Sequence, residues 1–381
     1  MCRKSLGKYK LCQFCIDRLS IDSEKGVDEV SGNNCWLCEG LSQEIDELSE
    51  IVEEKLRDYE FSTFLIGSKI DDEIIEKEEK IVNELNLKDI TPLKVWINSE
   101  IGKRISERMK KSVSFDNPDI TAIIDTRFNH VELQISSLFL YGRYIKKVRG
   151  IPQTKWPCRV CRGKGCRRCN FTGKMYETSV EEIIAEKAIE AARGEDESFH
   201  GCGREDVDAL MLGNGRPFVL EIKNPRIRSL NLKKLQEIIN THAEGKVEVR
   251  ELRFSDKNEV RRLKRASFPK VYHAKIVAER ELSEEKLKEV VRSLQGKNIK
   301  QLTPSRVAHR RAIKIRERKI LDIKVIDVAE KNATLEIKAE SGTYIKELVS
   351  GDEGRTKPSI SEMLGIACKV EELDVIAIEG E

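Results

Sequence analysis

The chain has 381 residues, 39% of them hydrophobic and 35% charged, with a formal net charge of +3. That length suits two or three domains, and no run of about 18 apolar residues is present to cross a membrane as a helix. The opening "MCRKSLGKYKLCQFC" lacks the apolar core of a secretory signal, so a cytoplasmic protein with no membrane partner is expected. Charge is spread unevenly: 39–90 is acidic, whereas 142–174 and 306–319 are basic. Such a split fits an anionic partner on one face, or simply a well-solvated Lys/Glu surface.

The first elements are two C-x-x-C pairs, Cys12/Cys15 and Cys35/Cys38. Two more, Cys158/Cys161 and Cys166/Cys169, lie in "PCRVCRGKGCRRCNFTGK". In a reducing compartment such pairs read as metal knuckles, because one tight turn offers two thiolates and zinc wants four in a tetrahedron. Redox pairs or buried thiols are the alternative. Each set is predicted to hold one structural zinc through Cys12, Cys15, Cys35 and Cys38, and through Cys158, Cys161, Cys166 and Cys169. Six cations, Arg159 to Lys174, stud the second set and suit phosphate. Cys202 reads as a small buried residue rather than a nucleophile.

Residues 1–40 are therefore expected to be a zinc module. "LSQEIDELSEIVEEKLRDYE" has helical spacing; "FSTFLIG" reads as a strand, and "DDEIIEKEEKIVNEL" and "LKVWINSEIGKRISERMKK" as amphipathic helices. "DITAIIDTRF" and "HVELQISSLFLYGRYIKK" alternate like strands. Together 41–150 read as an α/β domain, closed by Gly150 and Pro152, with the second cysteine set spanning 151–176. Ser179 and Glu182 cap a helix that opens the last domain, 177–381. There "GREDVDALMLGNGRPF" reads as a loop feeding the strand "FVLEI". The helices "LKKLQEIINTH", "SEEKLKEVVRSL" and "SISEMLG" alternate with the strands "KVEVRELRF" and "KVYHAKIVAE" and with an antiparallel pair over 312–341; "ACKVEELDVIAIE" closes the sheet. This is α+β with a large mixed sheet.

Four stretches bear chemistry. "GREDVDALMLGNGRPF" mounts Glu205, Asp206 and Asp208 beside Arg204, as either a charged turn or a reactive carboxylate on a rigid sheet. "QLTPSRVAHRR" carries Arg306, His309, Arg310 and Arg311, a solvated cationic face or a phosphate contact. "SGTYIKELVSGDEGRTKP" gathers Tyr344, Lys346, Arg355 and Lys357 around a helix start, where anions are favoured. Tyr272, in "KVYHAKI", is core packing or a platform for a base. "GNGRPF" lacks the spacing of a nucleotide loop, so no organic cofactor is expected.

With "KVYHAKI" and "LFLYGRYIKKVRGIPQTKWPC", these segments resemble, in order, the archaeal tRNA pseudouridine synthases of the Pus10 type, which act on uridines 54 and 55 of the T-loop. The resemblance runs from about the first C-x-x-C to the end. It implies a pseudouridine-synthase-type, largely antiparallel sheet with flanking helices, and a THUMP-like RNA-binding domain at 41–150. It implies an Arg-x-Asp motif at Arg204-Glu205-Asp206, with Asp206 as the nucleophile and Asp208 not. Tyr272 would stack on the uracil, Lys346 would pair with the aspartate, and Leu373 would support the tyrosine ring. Lysine stands at 346 where many relatives carry arginine, so a point charge replaces a planar fork. Arg204, Arg306, Arg310 and Arg311 would hold the RNA backbone, the partner would be tRNA, and the enzyme would be a monomer. A non-catalytic zinc-ribbon RNA-binding protein is the alternative. Methyltransferases and thiouridine synthetases that carry a THUMP domain need a glycine-rich cofactor loop or an ATP loop, and neither is found.

Overall fold

Apolar side chains at helical and strand spacing sort the chain into two units in a computed structural model that describes residues 9–21, 27–308 and 311–380. One unit comprises 1–138 with the short segments 192–196 and 223–229; the other holds 139–191, 197–222 and 230–381.

The first unit begins with β1 (Tyr9–Leu11), α1 (Gln13–Arg18) and β2 (Val27–Glu29), with β1 and β2 parallel. Then come α2 (Ile45–Leu56), β3 (Thr63–Lys69), α3 (Asp72–Glu84), α4 (Leu93–Met109), β4 (Ser112–Val113), β5 (Ile120–Asp125) and β6 (His130–Ile135). α2 buries Ile45, Leu48, Val52 and Leu56, and α4 buries Leu93, Ile97, Ile101 and Ile105. Both are the one-sided stripe of an amphipathic helix. Asp71 caps α3 by accepting from the Glu73 amide at 2.9 Å. The sheet order is β4-β3-β5-β6, with β3 parallel to β5 and β5 antiparallel to β6. One buried cluster runs from Leu11 to Val131 and takes in Cys12, Cys15, Cys35 and Cys38. Under it Arg18 and Glu78 form a buried ion pair, and Glu78 also accepts from the Leu93 amide at 3.0 Å.

The second unit starts with β7 (Leu138–Lys146), α5 (Val180–Ala192), β8 (Asp196–Gly201), β9 (Leu210–Lys223), α6 (Leu232–His242), β10 (Val247–Ser255) and α7 (Lys257–Arg265). It continues through β11 (Lys270–Ala278), α8 (Glu284–Leu294), β12 (Asn298–Leu302), β13 (Ile315–Ala329), β14 (Asn332–Ala339), α9 (Ile345–Ser350), β15 (Thr356–Lys357), α10 (Ile360–Leu364) and β16 (Cys368–Ile378). Its sheet has ten strands, in the order β10-β7-β9-β16-β11-β14-β13-β12-β15 with β8 on β9. β11 is antiparallel to β14 and β16, while β16 runs parallel to β9. The expected mixed, largely antiparallel sheet with flanking helices is present. Ser179 caps α5 as expected, accepting from the Glu182 amide at 3.2 Å and donating to its carboxylate at 2.8 Å.

Three features differ from the sequence reading. β16 does not close the sheet; it sits between β9 and β11, because its pairings are with distant strands that periodicity cannot reveal. "MLGNGRPF" is strand, not loop: β9 already begins at Leu210. Gly213 has a φ of +59°, and a Cβ there would lie 1.8 Å from the Ile376 carbonyl oxygen, so glycine lets β9 approach β16 closely. α7 also goes unforeseen, because its charges outnumber Val260 and Leu263, the two residues it buries.

Candidate active site

The central strands bring the expected residues together. Tyr272 lies mid-β11, and its neighbour Ala274 pairs across to Leu373 on β16. Asp206 sits in the short segment between β8 and β9, Arg306 in the turn Ser305–Val307 after β12, and Lys346 in the first turn of α9. All five, with Arg204, Arg311 and Tyr344, line one cleft of about 390 Å³.

The Asp206 carboxylate, its side chain 33% exposed, has two cations close by. Arg306 Nη1 donates to Oδ2 at 3.1 Å, and the Lys346 ammonium stands 3.6 Å from the same oxygen. Lys346 donates more closely, at 2.7 Å, to Asp208 Oδ2. Burial works against the Asp208 carboxylate, but Lys346 outweighs it and holds the pKa below its ordinary value. Arg306 is itself steered: its Nε donates at 2.7 Å to Glu347, a buried carboxylate of α9. One guanidinium therefore spans Glu347 and Asp206, and the planar fork that Lys346 cannot offer comes from Arg306.

Tyr272 is 8% exposed. Burial first, with the Asp206 charge adding to it and Arg216 opposing, pushes its phenol up to about 12. A phenol of that pKa is neutral at pH 7, and the side chain lines the cleft. Lys270, two residues earlier, donates to the Phe268 carbonyl at 3.1 Å and to the Ser341 hydroxyl at 3.0 Å. Burial, then Arg216, brings its pKa down to about 8.

Of the other expected cations, Arg204 and Arg311 stay on the cleft wall. The Arg204 guanidinium lies over the Trp156 ring at 5.7 Å. Arg311 donates to the Tyr344 hydroxyl at 3.2 Å on the cleft wall. Arg355 and Lys357 are not among the cleft-lining residues; Arg355 reaches the Thr303 carbonyl at 3.4 Å, and Lys357 lies on β15. Arg310 and His309 lie outside the described residues. Sequence reasoning passed over Lys270, Glu347 and Gln153, and left Glu205 without a role. Lys270, at the start of a strand pattern, carried no signal beyond its place two residues before Tyr272.

Both cysteine sets gather as their spacing predicts. In each, the four sulfurs lie within 4.8 Å of one another. Cys12 and Cys38 sulfurs are 3.7 Å apart; in the second set Cys158–Cys166, Cys161–Cys169 and Cys166–Cys169 are 4.0, 3.8 and 3.7 Å. A tetrahedron with bonds of about 2.3 Å has edges of about 3.8 Å, so four thiolates and one tetrahedral ion fit each set. In the second set Gly165, at φ +86°, lets the knuckles close: a Cβ there would meet the Phe171 carbonyl oxygen at 2.8 Å.

A family profile described as "Pus10, C-terminal" matches residues 139–379, and one described as "Pus10 THUMP domain, archaeal" matches residues 48–125. A curated tRNA pseudouridine synthase Pus10 from Methanothrix thermoacetophila is 43% identical over 97% of this chain and 80% of that protein. One from Archaeoglobus fulgidus is 44% identical over 97% of this chain and 99% of that protein. A crystal structure of a Cbf5-Nop10-Gar1 complex overlays with a TM-score of 0.34 and 16% identity, covering 61% of this chain and 47% of that one; so loose a match carries no argument.

Proposed function

The chain belongs to the Pus10 family, and from that premise we propose that it is a tRNA pseudouridine synthase that isomerises T-loop uridines 54, 55 or both, with Asp206 as the reactive carboxylate. The observation that carries the reading is the meeting of Asp206, Arg306, Lys346 and the buried Tyr272 ring in one cleft. The reaction breaks the N1–C1′ bond and makes a C5–C1′ bond; the C5 proton leaves and N1 gains one, so nothing is oxidised or reduced. It asks for a carboxylate to engage the sugar or the base, a flat partner for the uracil, and cations for the developing charge. Asp206, Tyr272 and the Arg306–Lys346 pair answer those needs, with Leu373 backing the ring.

A T-loop uridine has to leave its stack to enter a cleft of this size. Arg204, Arg311 and Tyr344 stand on the cleft wall to hold the flanking backbone. The THUMP region at 48–125 would grip the tRNA away from the target. The cysteine sets would each hold a structural zinc, which ties turns together and takes no part in the chemistry. We propose a monomer working in the cytoplasm; no described helix is long and apolar enough to cross a membrane.

The test uses an unmodified tRNA transcript, the purified protein and carbodiimide mapping of pseudouridine at each position. Product at 54 or 55, lost in Asp206→Asn with tRNA binding retained, is the expected result. Binding without product would favour the non-catalytic RNA-binding alternative.

A further inference from the structure

Beneath Asp206 lies a buried polar network. Glu205 turns inward, its carboxylate fully screened from solvent, and the side chains of Lys146 and Arg216 are screened as completely. Arg216 Nε donates to Glu205 Oε2 at 2.9 Å, the Tyr144 hydroxyl donates to the same oxygen at 2.8 Å, and the Lys146 ammonium stands 3.9 Å from Oε1. The same donors hold the backbone on both sides. Arg216 Nη1 donates to the Cys202 carbonyl at 2.7 Å, and Lys146 to those of Asp206 and Val207 at 3.3 and 3.2 Å. Gln153 donates to the Gly203 carbonyl at 2.9 Å and to the Tyr144 hydroxyl at 2.8 Å. Tyr144 and Lys146 lie on β7 and Arg216 on β9, so the segment carrying Asp206 is bolted to the sheet at three carbonyls and one side chain, with Gln153, outside the sheet, holding a fourth carbonyl.

A buried ion pair is rarely worth more than well-packed apolar side chains of the same volume, and it punishes the loss of one partner. Stability therefore does not explain so many polar groups at this spot; fixing a direction does. We infer that Glu205, held by Tyr144, Arg216 and Lys146, is a positioning residue that aims the Asp206 carboxylate into the cleft. The inference rests on the role proposed for Asp206.

Glu205→Gln keeps the shape and one acceptor oxygen but removes the charge that two cations share. At saturating enzyme its single-turnover rate on a tRNA transcript falls at least about tenfold, a loss typical of a misplaced reacting group. The tRNA Kd stays within about threefold and thermal unfolding stays cooperative. Tyr144→Phe, which fits the same aromatic site beside Phe199 and Phe218, slows the reaction less. The double variant loses less than the product of the two factors, because both act through one carboxylate. A smaller loss for Glu205→Gln, a loss that follows Kd or the folded fraction, or simple multiplication in the double variant overturns the inference. If Glu205→Gln does not fold, Tyr144→Phe decides: a rate loss of about threefold or more at unchanged Kd supports the inference, and a smaller one overturns it. Asp206→Asn, run alongside, keeps the two readings apart. Full activity in Asp206→Asn removes both, whereas an inactive Asp206→Asn beside a fully active Glu205→Gln removes this inference alone.

Discussion

Cys12, Cys15, Cys35 and Cys38 are all buried and belong to the same apolar cluster as Leu48, Phe64 and Ile97. Cys161, Cys166 and Cys169 are only half-buried, and around them Val160 and Phe171 stand 58% and 72% exposed among arginines and lysines. The two sets share the C-x-x-C spacing and the same sulfur geometry, yet one is part of a core and the other has almost no core to be part of. Ligand spacing reports a metal site; the residues between the ligands decide what else holds it. In the first set an ion would add to apolar burial. In the second an ion would be the core itself, with the exposed side chains left facing outward.

Chelation should separate the two sets most. Structural zinc contributes about 10–16 kcal/mol of apparent binding energy in small zinc-finger peptides, so stripping the metal should open the second set first. The expected outcome is rapid proteolysis confined to 158–174, while the segment from Leu11 to Val131 keeps its hydrogen-exchange protection; equal loss in both sets would erase the distinction. Next comes the buried pair under the first set. Glu78→Ala strands Arg18 and should cost about 3–5 kcal/mol in denaturant unfolding of the first unit. Smaller again, Ile97→Val should cost about 1 kcal/mol. Val160→Ala should stay within about 0.5 kcal/mol, as expected of an exposed site. Should the last two come out alike, the first set has no more core than the second.

Much of this was legible beforehand, for reasons particular residues make plain. Cysteine spacing is local chemistry, so both sets could be read directly. The amphipathic stripes of α2 and α4 are local as well. Asp206, Tyr272, Lys346 and Leu373 came from ordered motifs, and they meet in one cleft. What escaped depends on pairing between distant strands. Gly213 and Gly215 read as a loop because glycine usually marks one; their use in a close approach of β9 to its neighbours is visible only once those strands are in place. Glu205 and Asp206 are adjacent carboxylates, and nothing in the sequence says that one faces Arg216 in the interior while the other faces the cleft. Arg306 read as a backbone contact because its partner Glu347 lies forty-one residues away.

The most direct measurement of the central claim is single-turnover pseudouridine formation on an unmodified tRNA transcript by the parent protein and by Asp206→Asn, with tRNA affinity measured on the same samples. Product from the parent, none from the variant and equal binding by both is the predicted result. Comparable product from the two proteins would contradict the account, because the carboxylate at its centre would then be dispensable.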